Sequence, residues 1–256
     1  MISIHAVKNF PKLVTTVAIK NMKMKYKNSA LGFVWSLLHP LAYLIIFTIV
    51  FSNAFPDIER YSLFALIGLM FWTFFNNTIN QMMLSIIHNA SVLKTIAVPK
   101  LLFPFSALAA ELFTFLLSFI PFFGLMIFFG LNFSSELLLL IPAVLIFSIF
   151  SFGAGLLLCT LNVFFRDIGL LWNTLSPAIF YFTPIAYSAK MIPEKYSMII
   201  TLNPLYHYIE FMRIILYNNA VPEMRLWLIT GGLAAGASLV GLLVYHKLKK
   251  NFVSFY

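Results

Sequence analysis

Apolar runs of about twenty residues recur along the whole chain, and no other feature limits the fold so strongly. Six can be marked: residues 33–54, 61–81 or a little beyond, 101–122 and on toward Gly130, 137–161, 168–187 and 226–246. At about 1.5 Å of rise per residue, each is long enough for a hydrocarbon core of about 30 Å. Backbone amides in lipid must bond within their own segment, so the runs are expected to be helices. Composition agrees. The chain is 61% hydrophobic and 10% charged, where soluble domains run near half apolar and about a quarter charged. The expected fold class is an all-α polytopic membrane protein with six transmembrane helices. Soluble-enzyme and nucleic-acid readings start far behind, and the net charge of +9 is read as an orientation signal.

The basic residues fall on one set of connections. The N-terminal segment, residues 89–100, residues 162–167 and the tail after His246 hold twelve of the 17 lysines and arginines, with one acid, Asp167. The other connections hold Arg60, Lys190, Lys195, Arg213 and Arg225 with six of the eight acids. This bias places both termini in the cytoplasm and favours an even number of crossings. No cleavable signal peptide is expected, because the first thirty residues lack a compact apolar core and carry six lysines.

Residues 9–27 read as a helix lying in the cytosolic interface. At 100° per residue, Lys8, Lys12, Lys20, Lys23 and Lys27 share one sector, and Phe10, Leu13, Val14, Val17 and Met24 share the opposite one. Ile19 and Lys25 break the pattern. Such a helix lays its lysines against anionic headgroups. Asn28 and Gly32 permit the turn into the first span, and Trp35 suits interface depth. A flexible basic tail is the alternative. Between the fifth and sixth spans, Asn203 can cap a helix and Pro204 can occupy its first turn. Leu205, Tyr208, Ile209, Met212, Ile215 and Leu216 then form one stripe on a helix too short to cross. Pro177 and Pro184 break the fifth span near its outer end. A re-entrant or interfacial helical pair is expected here, with a plain surface loop as the alternative.

Catalytic motifs are missing from the sequence. It has no phosphate-binding G-x-x-x-x-G-K-[ST] loop and no paired metal-ligand spacing. The five histidines are scattered, and the single Cys159 excludes an internal disulfide and reads as a small packing residue. In "HNASVLKTIAVPK", Asn89 or Ser91 can start a short helix that Pro99 stops near Val98. Such a helix is a docking element for another protein, or else an ordinary loop. Asp167 is placed to cap the fifth helix. Glu111 is the only acid inside a span and lies about 15 Å beyond that helix's start by its rise. Buried acids in lipid are costly. Glu111 is a proton-relay group, a pore-facing group, or a neutral acid bonded to a neighbouring helix. Asn76, Asn77, Thr78, Asn80 and Gln81 form a polar band that glues helices or wets a pore. Aromatics recur at Tyr43, Phe47 and Phe51 and at Phe115, Phe119 and Phe122, and such faces can stack on sugar rings. Gly232 with Gly236, and Ser151 with Gly155, are spaced for close helix approach.

The order of these features resembles the transmembrane subunit of ABC-2 type exporters, most of all the permeases of O-antigen and other polysaccharide exporters. The resemblance rests on "YKNSALGFVWSLLHP" at 26–40, "VPKLLFP" at 98–104, "NVFFRDIG" at 162–169, "FTPIAYS" at 182–188 and "NPLYHYIEFMR" at 203–213. These follow the family's order and cover nearly the whole chain. Lys25 and Lys27 depart from it, since relatives often carry arginine before Ser-x-Leu-Gly.

The resemblance implies a single transmembrane domain over residues 1–256. Residues 1–32 would be the interface helix and turn, 33–187 the first five spans, 188–225 an external gate, and 226–256 the last span and tail. It implies a homodimer in the cytoplasmic membrane, served by two copies of a separate ABC ATPase. That partner would hold Mg-ATP, and this chain would have no nucleotide site, cofactor, metal or catalytic residue. The substrate would be a lipid-linked glycan in a channel lined by Tyr43, Phe47, Phe51, Asn76 and Asn77. Asn89, Ser91, Val92, Leu93, Lys94 and Val98 would couple to the ATPase, with Lys12, Lys20, Lys23 and Lys27 on the interface helix. Arg166 and Asp167 would stand at the cytosolic entrance. Asn203, Pro204, Tyr208 and Arg213 would belong to the external gate. Permeases for teichoic acid, capsule, drugs or lipids are neighbouring readings. A proton-coupled carrier using Glu111 is the competitor from another class, and a membrane-anchoring subunit is a third.

Overall fold

The structure, a computed structural model, describes residues 9–27, 29–95, 98–131, 133–250 and 252. Lys8 and Asn28 lie outside them. All regular elements among the described residues are helical: α1 Phe10–Lys25, α2 Trp35–Phe51, α3 Tyr61–His88, α4 Ala90–Thr95, α5 Leu102–Phe128, α6 Leu140–Phe164, α7 Asp167–Phe182, α8 Glu194–Thr201, α9 Pro204–Leu216 and α10 Met224–Leu248. Single 3₁₀ turns at Gly32–Val34 and Ser135–Leu139 lead into α2 and α6. Gly32 makes the turn between α1 and α2 at φ 49°, a conformation that costs other residues a clash at Cβ.

Among the described residues, four helices are long and apolar enough to cross a membrane: α3, α5, α6 with its leading turn, and α10. Among the described residues α2 is a further apolar helix but a shorter one, and α7 is shorter still and less apolar. α2 has 17 residues and α7 has 16, about 26 and 24 Å by helical rise. Pro177 lies inside α7 without ending it, whereas the break expected near the outer end of the fifth span falls at Pro184 and shortens the run that reached residue 187. Pro184 removes a backbone donor there, and the helix stops at Phe182.

α3 is the axis of the bundle. From Tyr61 to Phe75 it is apolar on nearly all sides, and it is buried along most of its length, as a helix surrounded by others must be. α2, α5, α6, α7 and α9 all pack against it. Phe71 and Phe74 of α3 meet Phe115 of α5 at ring-centroid distances of 4.9 and 4.7 Å, and Phe147 of α6 at 5.5 and 5.7 Å. Tilted and edge-on ring pairs of this kind contribute about 0.5–1.5 kcal/mol each beyond burial. The aromatic row Phe115, Phe119, Phe122 therefore faces the helical core.

α6 and α10 make the tightest helix contact, and its glycines are not the expected ones. A Cβ on Gly153 would collide with the backbone of Ala237 and Ser238, and one on Gly241 with the carbonyl oxygen of Gly153. Ser238 Oγ then donates to the Ile149 carbonyl at 3.0 Å. Gly232 and Gly236 face open space, and Gly155 packs on Met82. Spacing alone names pairs of small residues but not the face that the rest of the bundle turns inward.

α1 lies across the start of α5. Phe10 meets Phe105 edge-on at 5.9 Å, and Lys25 meets Glu111. These contacts lie 15 residues apart on α1 but six apart on α5, so the axes cross obliquely. Lys12, Lys20, Lys23 and Lys27 are all exposed.

Candidate substrate path and its closures

Glu111 is 4% exposed, and its two carboxylate oxygens accept from Lys25 Nζ at 2.8 and 3.0 Å. The acid is therefore ion-paired across to α1, not bonded as a neutral acid to a neighbouring span. The first turns of α5 run beside α1, so counting residues from the start of α5 overstates how far Glu111 is from the basic end. Lys25 had looked like a flaw in the two-faced pattern of α1. Its displacement from the other lysines turns it toward α5, where the buried Glu111 carboxylate needs a cation. The one intraspan acid was the available partner.

Two cavities meet at this pair. One, of about 470 Å³, lies between α1, α2, α3 and α5, with Trp35, His39, Asn77, Asn80 and Gln81 in its wall. The second, of about 290 Å³, lies toward the basic end and includes Lys20, Ser85, His88 and Asn89. Lys25, Gln81, Glu111 and Thr114 border both. A groove of about 310 Å³ continues from the first cavity along α2, α3 and α7. It shares His39, Thr73 and Asn77 with that cavity and adds Tyr43, Trp72, Asn76 and Tyr181. The path thus combines aromatic faces with carboxamides.

Of the residues expected to line a channel, Tyr43, Asn76 and Asn77 come together in this groove. Phe47 and Phe51 do not border it. Phe47 stacks on Phe180 at 6.3 Å, and Phe51 on Phe55 at 6.0 Å, within the half-buried packing around α3. They stand one and two helical turns beyond Tyr43, where α2 leans on its neighbours. His39 continues Tyr43's four-residue spacing but is grouped with the scattered histidines, and Trp72 has no such repeat, so the sequence singled out neither.

At the basic end, Asn89 closes α3 and donates to the Ser85 carbonyl at 2.8 Å. α4 follows at once, with Ser91 and Lys94 exposed and Val92 and Leu93 half-buried. Its described residues run to Thr95, and Val98 lies outside it, half-buried in the connection to α5. Arg166 and Asp167 are both exposed at the α6–α7 turn. Asp167 does not cap α7, since it is the helix's first residue and its side chain makes no cap bond. Asn162 supplies that bond from α6. Its Oδ1 accepts from Gly169 N at 3.0 Å, while its Nδ2 donates to the Met83 carbonyl at 3.1 Å. One buried carboxamide ties α6, α7 and α3 together. No local pattern announces a cap that comes from the preceding helix.

The opposite end is closed by α9. Asn203 caps it, accepting from Leu205 N at 3.0 Å, and Pro204 occupies the first turn. Asn203 Nδ2 also donates to Thr183 Oγ1 at 2.8 Å. The stripe expected on α9 is buried throughout, and Tyr208 donates to the Thr230 carbonyl on α10 at 2.7 Å. Arg213 is 4% exposed. Its guanidinium donates to the carbonyls of Pro184 at 2.8 Å and Ile185 at 2.7 Å, with its carbon 3.4 Å from the Phe64 ring centroid. Burial pulls its pKa down, and Glu210 offsets part of that. The carbonyls freed where α7 breaks are thus satisfied by one side chain, and Tyr61 holds the next by donating to the Ala186 carbonyl at 2.9 Å.

Residues 12–217 match the model of the ABC-2 type transporter family. The chain belongs to that family. Among individual proteins, this ABC-2 chain is 33% identical over 244 residues to the O-antigen export system permease protein RfbA of Klebsiella pneumoniae, covering 94% of this chain and 93% of that protein. It is 26% identical to the protein of the same name from Myxococcus xanthus, over 82% of each chain. The capsule polysaccharide export inner-membrane protein CtrC of Neisseria meningitidis serogroup B is 23% identical over 79% of this chain and 78% of that one. The family match runs from α1 through α9, so it takes in the cavities, the groove and the α9 closure.

Proposed function

We propose that this chain is the channel-forming permease subunit of an ATP-driven exporter of lipid-linked, O-antigen-like polysaccharide across the cytoplasmic membrane. The observation that carries the reading is the 33% identity to an O-antigen export permease over nearly the full length of both chains. Capsule-export relatives match at lower identity, so an O-antigen-like glycan is the better supported substrate. The chemistry of the path supports it too. Carboxamides and aromatic faces suit a hydroxyl-rich polymer that must slide without being fixed.

In this reading the chain crosses the membrane six times, with α2 and α7 as the two shorter crossings. Both termini are cytosolic, as the distribution of lysine and arginine favours. α1 lies in the interface with its lysines toward lipid headgroups. The groove between α2 and α7 is open, and exposed apolar residues such as Ile49 and Leu175 lie on these helices. A second copy of the chain facing this groove completes the conduit. Two copies of a separate ABC ATPase dock on α4 and its flanks, through Asn89, Ser91, Val92, Leu93, Lys94 and Val98. Mg-ATP is held there, and this chain carries no cofactor and performs no catalysis. ATP-driven closure of the partner moves α4 and α1. The entrance at Arg166 and Asp167 then opens, and the α8–α9 segment with Asn203, Pro204, Tyr208 and Arg213 yields at the far side.

The test is export of surface glycan in cells whose partner ATPase cannot hydrolyse ATP. Loss of export, with lipid-linked glycan accumulating inside, is expected. Export that persists contradicts the proposal. A proton-coupled carrier is the weaker reading, because Glu111 is held by Lys25. Glu111→Gln is expected to leave export dependent on ATP and indifferent to a protonophore.

A further inference from the structure

We propose that the 470 Å³ cavity behind the Lys25–Glu111 pair is a binding site for one neutral sugar unit of the cargo. It would be a fixed recognition point at the start of the path, distinct from the open groove. This rests on the reading of the chain as a glycan exporter. Three observations lead to it.

The cavity has the size of a small-ligand pocket, and part of its polar wall is unspent. Thr73, Asn77 and Gln81 border it and make no hydrogen bond or ion pair among the described residues. Asn80 uses its amide donors on Asn76 and leaves its own oxygen over. A carboxamide offers both donors and an acceptor, which is what a ring carrying several hydroxyls requires.

The electrostatics select against a charged ligand. The one carboxylate in the wall already neutralises the one lysine. An anionic headgroup would find a Lys25 whose charge is engaged and a Glu111 that repels it. A hydroxyl-rich neutral group meets no such conflict. Each Glu111 oxygen accepts one bond from Lys25 and keeps lone-pair capacity for a hydroxyl donor.

The wall also offers an apolar plane. Trp35 stands at the rim, 50% exposed, with Phe74 and Phe115 deeper. An indole face beside convergent amides suits the C–H face of a sugar ring. A lipid chain would gain from these aromatics but would leave the amides and the carboxylate buried without partners, which is unfavourable.

The test places a photoreactive p-benzoylphenylalanine at Gln81 or at Trp35, both exposed enough to accept it, in the full complex in glycan-producing cells. A third probe at Tyr181 reports on the groove. Adducts are separated by mobility, stained for sugar by periodate and hydrazide, and examined by mass spectrometry for polyprenyl chains. The expected result is a sugar-positive, upward-shifted adduct at residues 81 and 35. Adducts there that contain only lipid overturn the inference. So does a sugar adduct confined to Tyr181, which leaves the exporter reading standing. Sugar absent from all three positions contradicts both.

Discussion

Cutting the Lys25–Glu111 pair at either end separates its electrostatic worth from simple packing. At 2.8 Å and an effective dielectric constant of about 20, the attraction is roughly 6 kcal/mol before desolvation. Burying Glu111 to 4% exposure consumes much of that, and Lys25, 31% exposed, is partly screened. The net coupling should come to about 1–2 kcal/mol. Lys25→Met strands a buried carboxylate and should cost about 2 kcal/mol, while Glu111→Gln removes the charge itself and should cost about 1 kcal/mol. The double variant should then be less destabilised than the two singles summed, by the coupling energy. The assay is a double-mutant cycle of sodium dodecyl sulfate unfolding, followed by circular dichroism on the purified complex in micelles. The exchanged pair, Lys25→Glu with Glu111→Lys, should recover part of the loss. A coupling below about 0.3 kcal/mol, within the error of simple additivity, would refute the pair as a fastening between α1 and α5.

Other substitutions read other fastenings. Arg213→Met leaves the Pro184 and Ile185 carbonyls unsatisfied and should cost about 3 kcal/mol, with only partial recovery in Arg213→Lys because an ammonium lacks the planar fork; thermal unfolding in nanodiscs measures both. Gly153→Val drives side-chain atoms into the α10 backbone, which cannot yield as a flexible side chain would. A loss of about 3 kcal/mol or more is expected, whereas Gly236→Val should fall within about 0.5 kcal/mol. Asn162→Leu removes the α7 cap and the bond to Met83 together, and hydrogen exchange at residues 167–170 should rise by about tenfold or more.

What the sequence made legible was periodic or local. Span positions follow from apolar length, and the α9 stripe with its Asn203–Pro204 start follows from helical spacing and cap chemistry. Both stand as read. What escaped was long-range. Lys25 and Glu111 are 86 residues apart, and Asn162 serves a helix other than its own. The Gly153–Gly241 crossing depends on how α6 and α10 rotate to pack, which no single helix records. Phe47 and Phe51 share Tyr43's spacing yet join the core, because α2 leans against α3 and α7 beyond that point. Arg213 was legible as a residue of the segment, but not as the donor that closes the break after α7, because that break is made by a proline 29 residues earlier.

The central claim is that this chain forms the passage and another chain supplies the energy. Reconstitution measures it directly: the purified permease with its ATPase in proteoliposomes, loaded with lipid-linked glycan on the outer, ATP-accessible leaflet. Glycan should become protected inside the vesicle only when the ATPase and Mg-ATP are both present. Equal protection with the permease alone and no nucleotide would contradict the account.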